Sequence, residues 1–223
     1  VRHTIGLADP LTDADIPEED RADDGLPQSL EANIDAYGLS YFKIKICGDL
    51  DTDLERLTAL ADILRRKAPG YRYALDGNEQ YQTLSDFREH WEAFHDHPPL
   101  IDFLSSAHLL FVEQPVHRDQ ALDDSIATDL EYWPGAPPLI IDESDAGLGS
   151  ARRALKLGYS GTSHKNCKGV IKGIANCALL AERRGENPEQ PAILSGEDLA
   201  NLGPIALQQD LAVMHLLGIH HVE

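Results

Sequence analysis

The sequence predicts an α/β fold, a TIM-like barrel of parallel strands forming one domain over residues 1–223. Three observations carry that expectation. Short apolar runs of strand length alternate with amphipathic helical segments along the whole chain. The count reaches eight strands and seven helices, which favours a closed ring over an open doubly wound sheet. No GxGxxG or GxxxxGK[ST] pattern follows the first strand, which weakens the nucleotide-binding alternative.

VRHTIGL (1–7) is the first strand. An acidic stretch over 9–28, with the run DPLTDADIPEEDRADD (9–24), is expected to be an exposed, mobile loop. SLEANIDAYG (29–38) is a helix that stops at a glycine, and YFKIKI (41–46) is the second strand. The helix over 51–70 has an Asp N-cap signal, apolar spacing at 54, 57, 60, 61 and 64, and a Pro-Gly stop. YRYALD (71–76) is the third strand and SDFREHWEAFHDH (85–97) the third helix.

HLLFVEQP (108–115) is the fourth strand, followed by a helical 119–133 and a fifth strand, PLIIDES (138–144). A helix over 150–158 leads to a weak sixth strand, YSGTSHK (159–165), and then to the amphipathic GVIKGIANCALLAERRG (169–185). PAILSGE (191–197), a helix over 204–218 and IHHVE (219–223) complete the alternation. Val1 already opens a strand, so a natural N-terminal portion is expected to be missing from the chain.

Composition narrows the function. Thirty-eight Asp and Glu against 19 Lys and Arg give a formal net charge of −19, a surface that repels nucleic acid. Cys47, Cys167 and Cys177 are too few for a disulfide framework and form no CxxC, which fits a reducing, cytoplasmic setting. There is no signal peptide pattern and no apolar run of membrane-spanning length.

The C-terminal ends of the strands carry the chemistry in such barrels, and here they are polar. Asp76, Glu113 and Asp142 close YALD, LLFVE and PLIID, and Glu223 closes HHVE. One terminal carboxylate is usually a helix cap or turn residue. Three on consecutive strands would repel one another in a shared mouth, a penalty that a hard divalent cation removes. All-oxygen ligation suits Mg²⁺, with Mn²⁺ as the alternative.

Lys43 and Lys45 share one face of the second strand, and the barrel turns that face inward. Crowded beside a dication, both lysines are expected to have depressed pKa values, as a general base requires. Lys165, on the sixth strand, faces them across the mouth. Glu197 and Asp198 are candidate substrate contacts, or equally loop carboxylates. Asn78 and Gln114 neighbour ligands and are expected to support them. By strand parity His164 points outward and His221 lines the interior.

In order and spacing, KIK (43–45), DGNE (76–79), VEQP (112–115), DES (142–144) and SHKNCKG (163–169) resemble the enolase superfamily, closest to its muconate-lactonizing-enzyme-like (mandelate racemase/muconate lactonizing enzyme) subgroup. The resemblance spans essentially the whole chain. It implies a (β/α)7β barrel, which agrees with the lack of an eighth helix. It implies a metal held by Asp76, Glu113 and Asp142, and Lys45 and Lys165 as acid/base residues on opposite faces of a small carboxylate substrate. Lys43 would contact the substrate carboxylate and lower the pKa of Lys45, and Glu223 matches a substrate-binding acid. Asn78 joins the substrate contacts. The implied reaction is removal of the proton α to a carboxylate through a metal-stabilised enediolate, leading to racemisation or epimerisation, dehydration or cycloisomerisation. A homo-oligomer and an N-terminal capping domain, for which the sequence has no segment, are implied too.

One departure from the subgroup is KNCKGV, shorter by a residue and with one glycine, which leaves Lys165 or Lys168 as the sixth-strand acid/base residue; Lys165 directly ends the strand and is preferred. Two other classes stay open: a catalytically silent or truncated barrel that binds without turnover, and a Schiff-base aldolase using Lys45 or Lys165 as nucleophile.

Overall fold

The computed structural model describes residues 1–200 and 202–223. Seven strands run parallel in chain order in one sheet: β1 (Arg2–Ile5), β2 (Tyr41–Lys45), β3 (Arg72–Asp76), β4 (Leu109–Glu113), β5 (Leu139–Ile141), β6 (Gly161–His164) and β7 (Ile193–Gly196). The crossovers carry α1 (Leu30–Tyr37), α2 (Leu50–Lys67), α3 (Leu84–Asp96), α4 (Ser125–Glu131), α5 (Ser150–Leu157), α6 (Val170–Glu186) and α7 (Pro204–Leu216).

The expected eighth strand over 219–223 is reduced to one residue. Val222 bridges Gly196 of β7, and its carbonyl accepts from Arg2 N at 2.6 Å, so a single residue joins the last strand to the first. His221 and Glu223 on either side of it belong to no further bridge among the described residues. The segment over 9–28 also differs from a plain loop. It holds two single 3₁₀ turns, Asp13–Asp15 and Glu18–Asp20, the first closed by a Thr12–Asp15 capping box. The helix expected over 119–133 shortens to α4, because 119–124 form turns.

Local sequence explains the longer helices. Asp49 caps α2 by accepting from Thr52 N, and Arg65, Arg66 and Lys67 complement the dipole at its end. Thr83 and Asp86 form the capping box of α3. Leu57, Leu60 and Leu64 of α2 and Phe87, Trp91 and Phe94 of α3 bury one stripe each against the sheet.

The core has two parts. The larger lies between sheet and helices, where Phe42, Ile44, Leu75, Val112 and Ile141 point outward. The smaller is a plug inside the ring, made by Ala74, Phe111 and Ile140 with Ile193 against it. Gly161 is needed at this level, since a Cβ there would lie 1.9 Å from the Ile193 carbonyl oxygen. Above the plug the ring interior is polar. His164 points outward, as parity predicts, and is buried beneath α6 where Gly173 leaves room for its ring.

Candidate active site

The strand ends gather ionisable side chains over the plug. Register aligns Lys45 with Asp76 and Asp76 with Glu113 at one level of the mouth. Asp142 follows Ile141 one residue beyond β5, and Lys165 follows His164 of β6. In a ring of eight strand positions, the second and the sixth are diametrically opposed. Lys45 and Lys165 therefore stand on opposite sides, with the carboxylates on the arc between them. The four non-glycine residues with positive φ among those described are Asn78, Glu79, Gln114 and Asp198. All lie just past strands β3, β4 and β7, where the backbone is bent to present side chains.

Lys43 is the centre of the cluster. Its Nζ lies 2.9 Å from Glu197 Oε2, 3.0 Å from Glu223 Oε2, and 3.2 Å from both Asp76 Oδ2 and Glu113 Oε2. Burial alone would lower its pKa, but Glu113, Glu197, Asp76 and Glu223 outweigh that and raise it. The expectation of a depressed Lys43 was tied to a dication; without one, the carboxylates outnumber the lysine. Lys165 behaves alike. Burial is outweighed by Asp142 at 2.9 Å and Asp198 at 3.0 Å, so its pKa is raised. Lys45 differs: its Nζ donates to Asn78 Oδ1 at 3.3 Å and holds no ion pair among the described residues.

Glu197 is fixed from two sides. Oε1 accepts from Arg2 Nη2 at 2.7 Å and from Ser195 Oγ at 2.8 Å, while Oε2 takes Lys43. Burial opposes its ionisation, but Lys43, Glu113 and Arg2 hold its pKa low. Glu113 is the opposite case. It is fully buried, and neither of its oxygens accepts a hydrogen bond. Burial first, then the charge of Glu197, raises its pKa well above the carboxylate range. Asp76 is raised as well, by burial against the pull of Lys43. Asp142 is lowered, because Lys168 and its hydrogen bonds overcome burial.

Lys168 sits in the 3₁₀ turn Asn166–Lys168 at the entrance to α6, as expected, yet it reaches back into the site. Its Nζ donates to Asp142 Oδ1, to the Asp142 carbonyl at 2.7 Å and to Ser163 Oγ at 3.0 Å. Both candidate lysines therefore converge on Asp142. Gln114 is buried, and its Oε1 accepts from Asp142 N at 2.9 Å, fixing the start of the fifth-strand loop. Thr4 donates to Glu223 Oε1. His221 lines the interior but well inside the mouth, stacked on Tyr41 with ring centroids 4.6 Å apart and 3.4 Å from Arg2 Nη1.

One oxygen each from Glu113, Asp142 and Glu197 lie within 4.8 Å of one another, close enough to share an ion. This trio overlaps the expected Asp76, Glu113 and Asp142 in two members. The orphaned oxygens of Glu113 are what a buried cation ligand looks like before it is satisfied. The donor set is all-oxygen and fits a hard divalent cation.

Sequence reasoning undervalued two residues. Arg2 was visible only as an arginine at the interior parity of an otherwise apolar strand. Glu197 was visible as an end-of-strand acid, without its anchor.

Fold and site together define a parallel α/β barrel with a carboxylate and lysine mouth, a fold shared with several solved structures. A mandelate racemase/muconate lactonizing enzyme from Roseiflexus sp. matches with a TM-score of 0.61 and 23% identity, covering 87% of this chain and 49% of its own. A 3,6-anhydro-D-galactonate cycloisomerase from Zobellia galactanivorans matches with a TM-score of 0.60 and 13% identity, over 85% of this chain and 47% of its own. A mandelate racemase/muconate lactonizing protein from Paracoccus denitrificans, complexed with magnesium, matches with a TM-score of 0.60 and 14% identity, over 87% and 47%. The chain thus spans about half the length of these solved structures. The barrel fold that the motifs implied is borne out by these matches. No family model and no curated protein matches the chain. Among the described residues, no helix is long and apolar enough to cross a membrane.

Proposed function

We propose that this chain is the barrel of an enolase-superfamily enzyme that removes the proton α to the carboxylate of a small acid. The observation that carries the reading is the placement of Lys45 and Lys165 on opposite sides of a carboxylate cluster that holds a buried Glu113 with no hydrogen bond to either oxygen. Asp76, Glu113 and Asp142 would hold Mg²⁺ or Mn²⁺; Glu197, already bound to Arg2 and Lys43, is the less available carboxylate. When bound, such a cation neutralises the carboxylates and stabilises negative charge on the substrate.

Lys45 takes or returns the proton on one face. It is suited to this because no ion pair pins its Nζ, which is free to turn from Asn78 toward a substrate carbon. Lys165 serves the other face and is held there by Asp142 and Asp198. Lys43 and Glu223 bound the substrate carboxylate from below, with Asn78 at the rim. Opposed lysines serve racemisation or epimerisation directly, and serve dehydration or cycloisomerisation with one lysine acting alone. The Schiff-base alternative, with Lys45 or Lys165 as nucleophile, is less favoured, since it leaves the carboxylate cluster without a role.

The test is exchange of α-protons in D₂O across a library of carboxylic acids, read by mass spectrometry with and without Mg²⁺. Metal-dependent exchange is expected, falling by about 10²–10⁴ in Lys45→Ala. Lys165→Ala and Lys168→Ala, compared on each enantiomer, would identify the partner base by the face that loses exchange. Exchange that persists without metal, or in the Lys45→Ala/Lys165→Ala double variant, would sink the mechanism.

A further inference from the structure

Four carboxylates from four strand ends point at one ammonium, and the geometry suggests a role for that residue beyond touching substrate. We propose that Lys43 is a tethered internal cation that competes with the divalent metal for the same carboxylates and so sets the metal affinity of the site. The inference rests on the metal-site reading above.

The argument is one of shared ligands. Asp76 and Glu113, two of the three proposed metal ligands, each lie 3.2 Å from Lys43 Nζ. Those oxygens cannot serve a metal at about 2.1 Å and keep an ammonium at contact distance on the same side. Lys43 must withdraw toward its other partners when metal enters. It has somewhere to go. Glu197 and Glu223 are not proposed ligands, and they already hold Nζ at 2.9 and 3.0 Å. Glu197 itself cannot follow the metal readily, because Arg2 Nη2 and Ser195 Oγ grip its other oxygen. Thr4 grips Glu223 in the same way. The two pairs of carboxylates thus form a shared pair, Asp76 and Glu113, and a parking pair, Glu197 and Glu223. Lys43 has only 4% of its surface exposed, so its charge is poorly screened and its repulsion of a dication is strong.

Direct Mn²⁺ binding to the whole chain tests this, by electron paramagnetic resonance or calorimetry and with no substrate present. Lys43→Met is expected to bind Mn²⁺ about tenfold or more tightly than the unaltered chain, while Lys43→Arg, which keeps the charge, stays within about threefold. The Lys43→Gln variant also removes the charge and covers the case in which Lys43→Met alone does not fold. It is expected to share the tightening, because neither proposed shared ligand is altered. Mn²⁺ binding that is unchanged or weaker in the uncharged variants overturns the competition while leaving the metal site standing. No Mn²⁺ binding by any of the proteins overturns the metal reading itself, and the competition with it.

Discussion

The two arcs of the barrel are built differently. From α1 to β6 the helices press a continuous apolar layer onto the strands, with Phe42, Leu64, Phe87, Trp91, Phe103 and Trp133 all buried in one cluster. Beyond β6 that layer thins. Among the described residues, none after Tyr159 belongs to the large cluster, and α6 and α7 leave Ile171, Ile174, Ile205, Leu211 and Leu216 exposed. The closing eighth position is one bridged residue, Val222. The packed arc carries Lys45 and the carboxylates of strands three to five; the thin arc carries Lys165, Lys168 and Glu197. The proposed ligands and one proposed proton carrier thus stand on the packed side, and the opposing lysine on the less supported side.

The strongest blow to that comparison would come from the packed arc. Phe87 is fully buried and meets Tyr81 and Trp133 edge-on at 5.2 and 6.0 Å. Phe87→Ala is expected to cost about 3–5 kcal/mol in denaturant unfolding, the range for an aromatic removed from a close-packed core. A loss under 1 kcal/mol would mean that the apolar layer is loose, and the contrast between arcs would fail.

How much of this was legible in the sequence differs by arc as well. Strands β1 to β7 and all seven helices could be read because apolar period and caps agree, as at Asp49 and Thr83. The eighth strand could not. IHHVE has the right residues, but pairing depends on neighbours on both sides, and these give it one bridge. In the site, strand parity correctly turned Lys43, Lys45 and Glu223 inward and His164 outward. The direction of the Lys43 shift without a cation could not be read, because it depends on four carboxylates, at the ends of β3 and β4, just past β7 and at residue 223. Sequence spacing reveals how many acids end strands, but not how many reach the same nitrogen. The reach of Lys168 was not legible for a related reason: four side-chain carbons let it touch Asp142 from the helix entrance that the sequence assigns it.

A middle-sized effect tests the floor of the thin arc. His221 is held below its ordinary value of 6.5, at about 4, first by burial and then by Arg2. The unfolded chain therefore binds a proton that the folded chain refuses between those values. Stability from neutral His221 is complete above about pH 6.5 and is lost as pH falls toward 4. The full shift corresponds to about 3 kcal/mol, and roughly half remains after discounting for a ring that keeps some contact with water. Asp76 and Glu113 titrate in the opposite sense, so the measurement is a difference: urea unfolding of the unaltered chain and of His221→Gln at pH 7 and pH 4.5. The variant is expected to lose less stability across that interval. Equal losses would show that the ring beside Arg2 is solvated and that the barrel floor is open there.

The smallest expected effect bears most directly on the exposed side. Ile171 lies in the first turn of α6 with 76% of its surface exposed. An apolar side chain in that state has almost no burial to lose, and glutamine suits a helix at least as well as isoleucine. Ile171→Gln should change unfolding free energy by no more than about 0.5 kcal/mol at any protein concentration. A larger loss that is independent of concentration would mean that α6 packs more closely than its exposure implies, and the two arcs would be alike after all. A loss that grows with protein concentration would instead place another copy of the chain over this face, because only a bimolecular contact gains from mass action. The thin arc would then be a surface completed by assembly, and the support that Lys165 lacks within the chain would come from a neighbour.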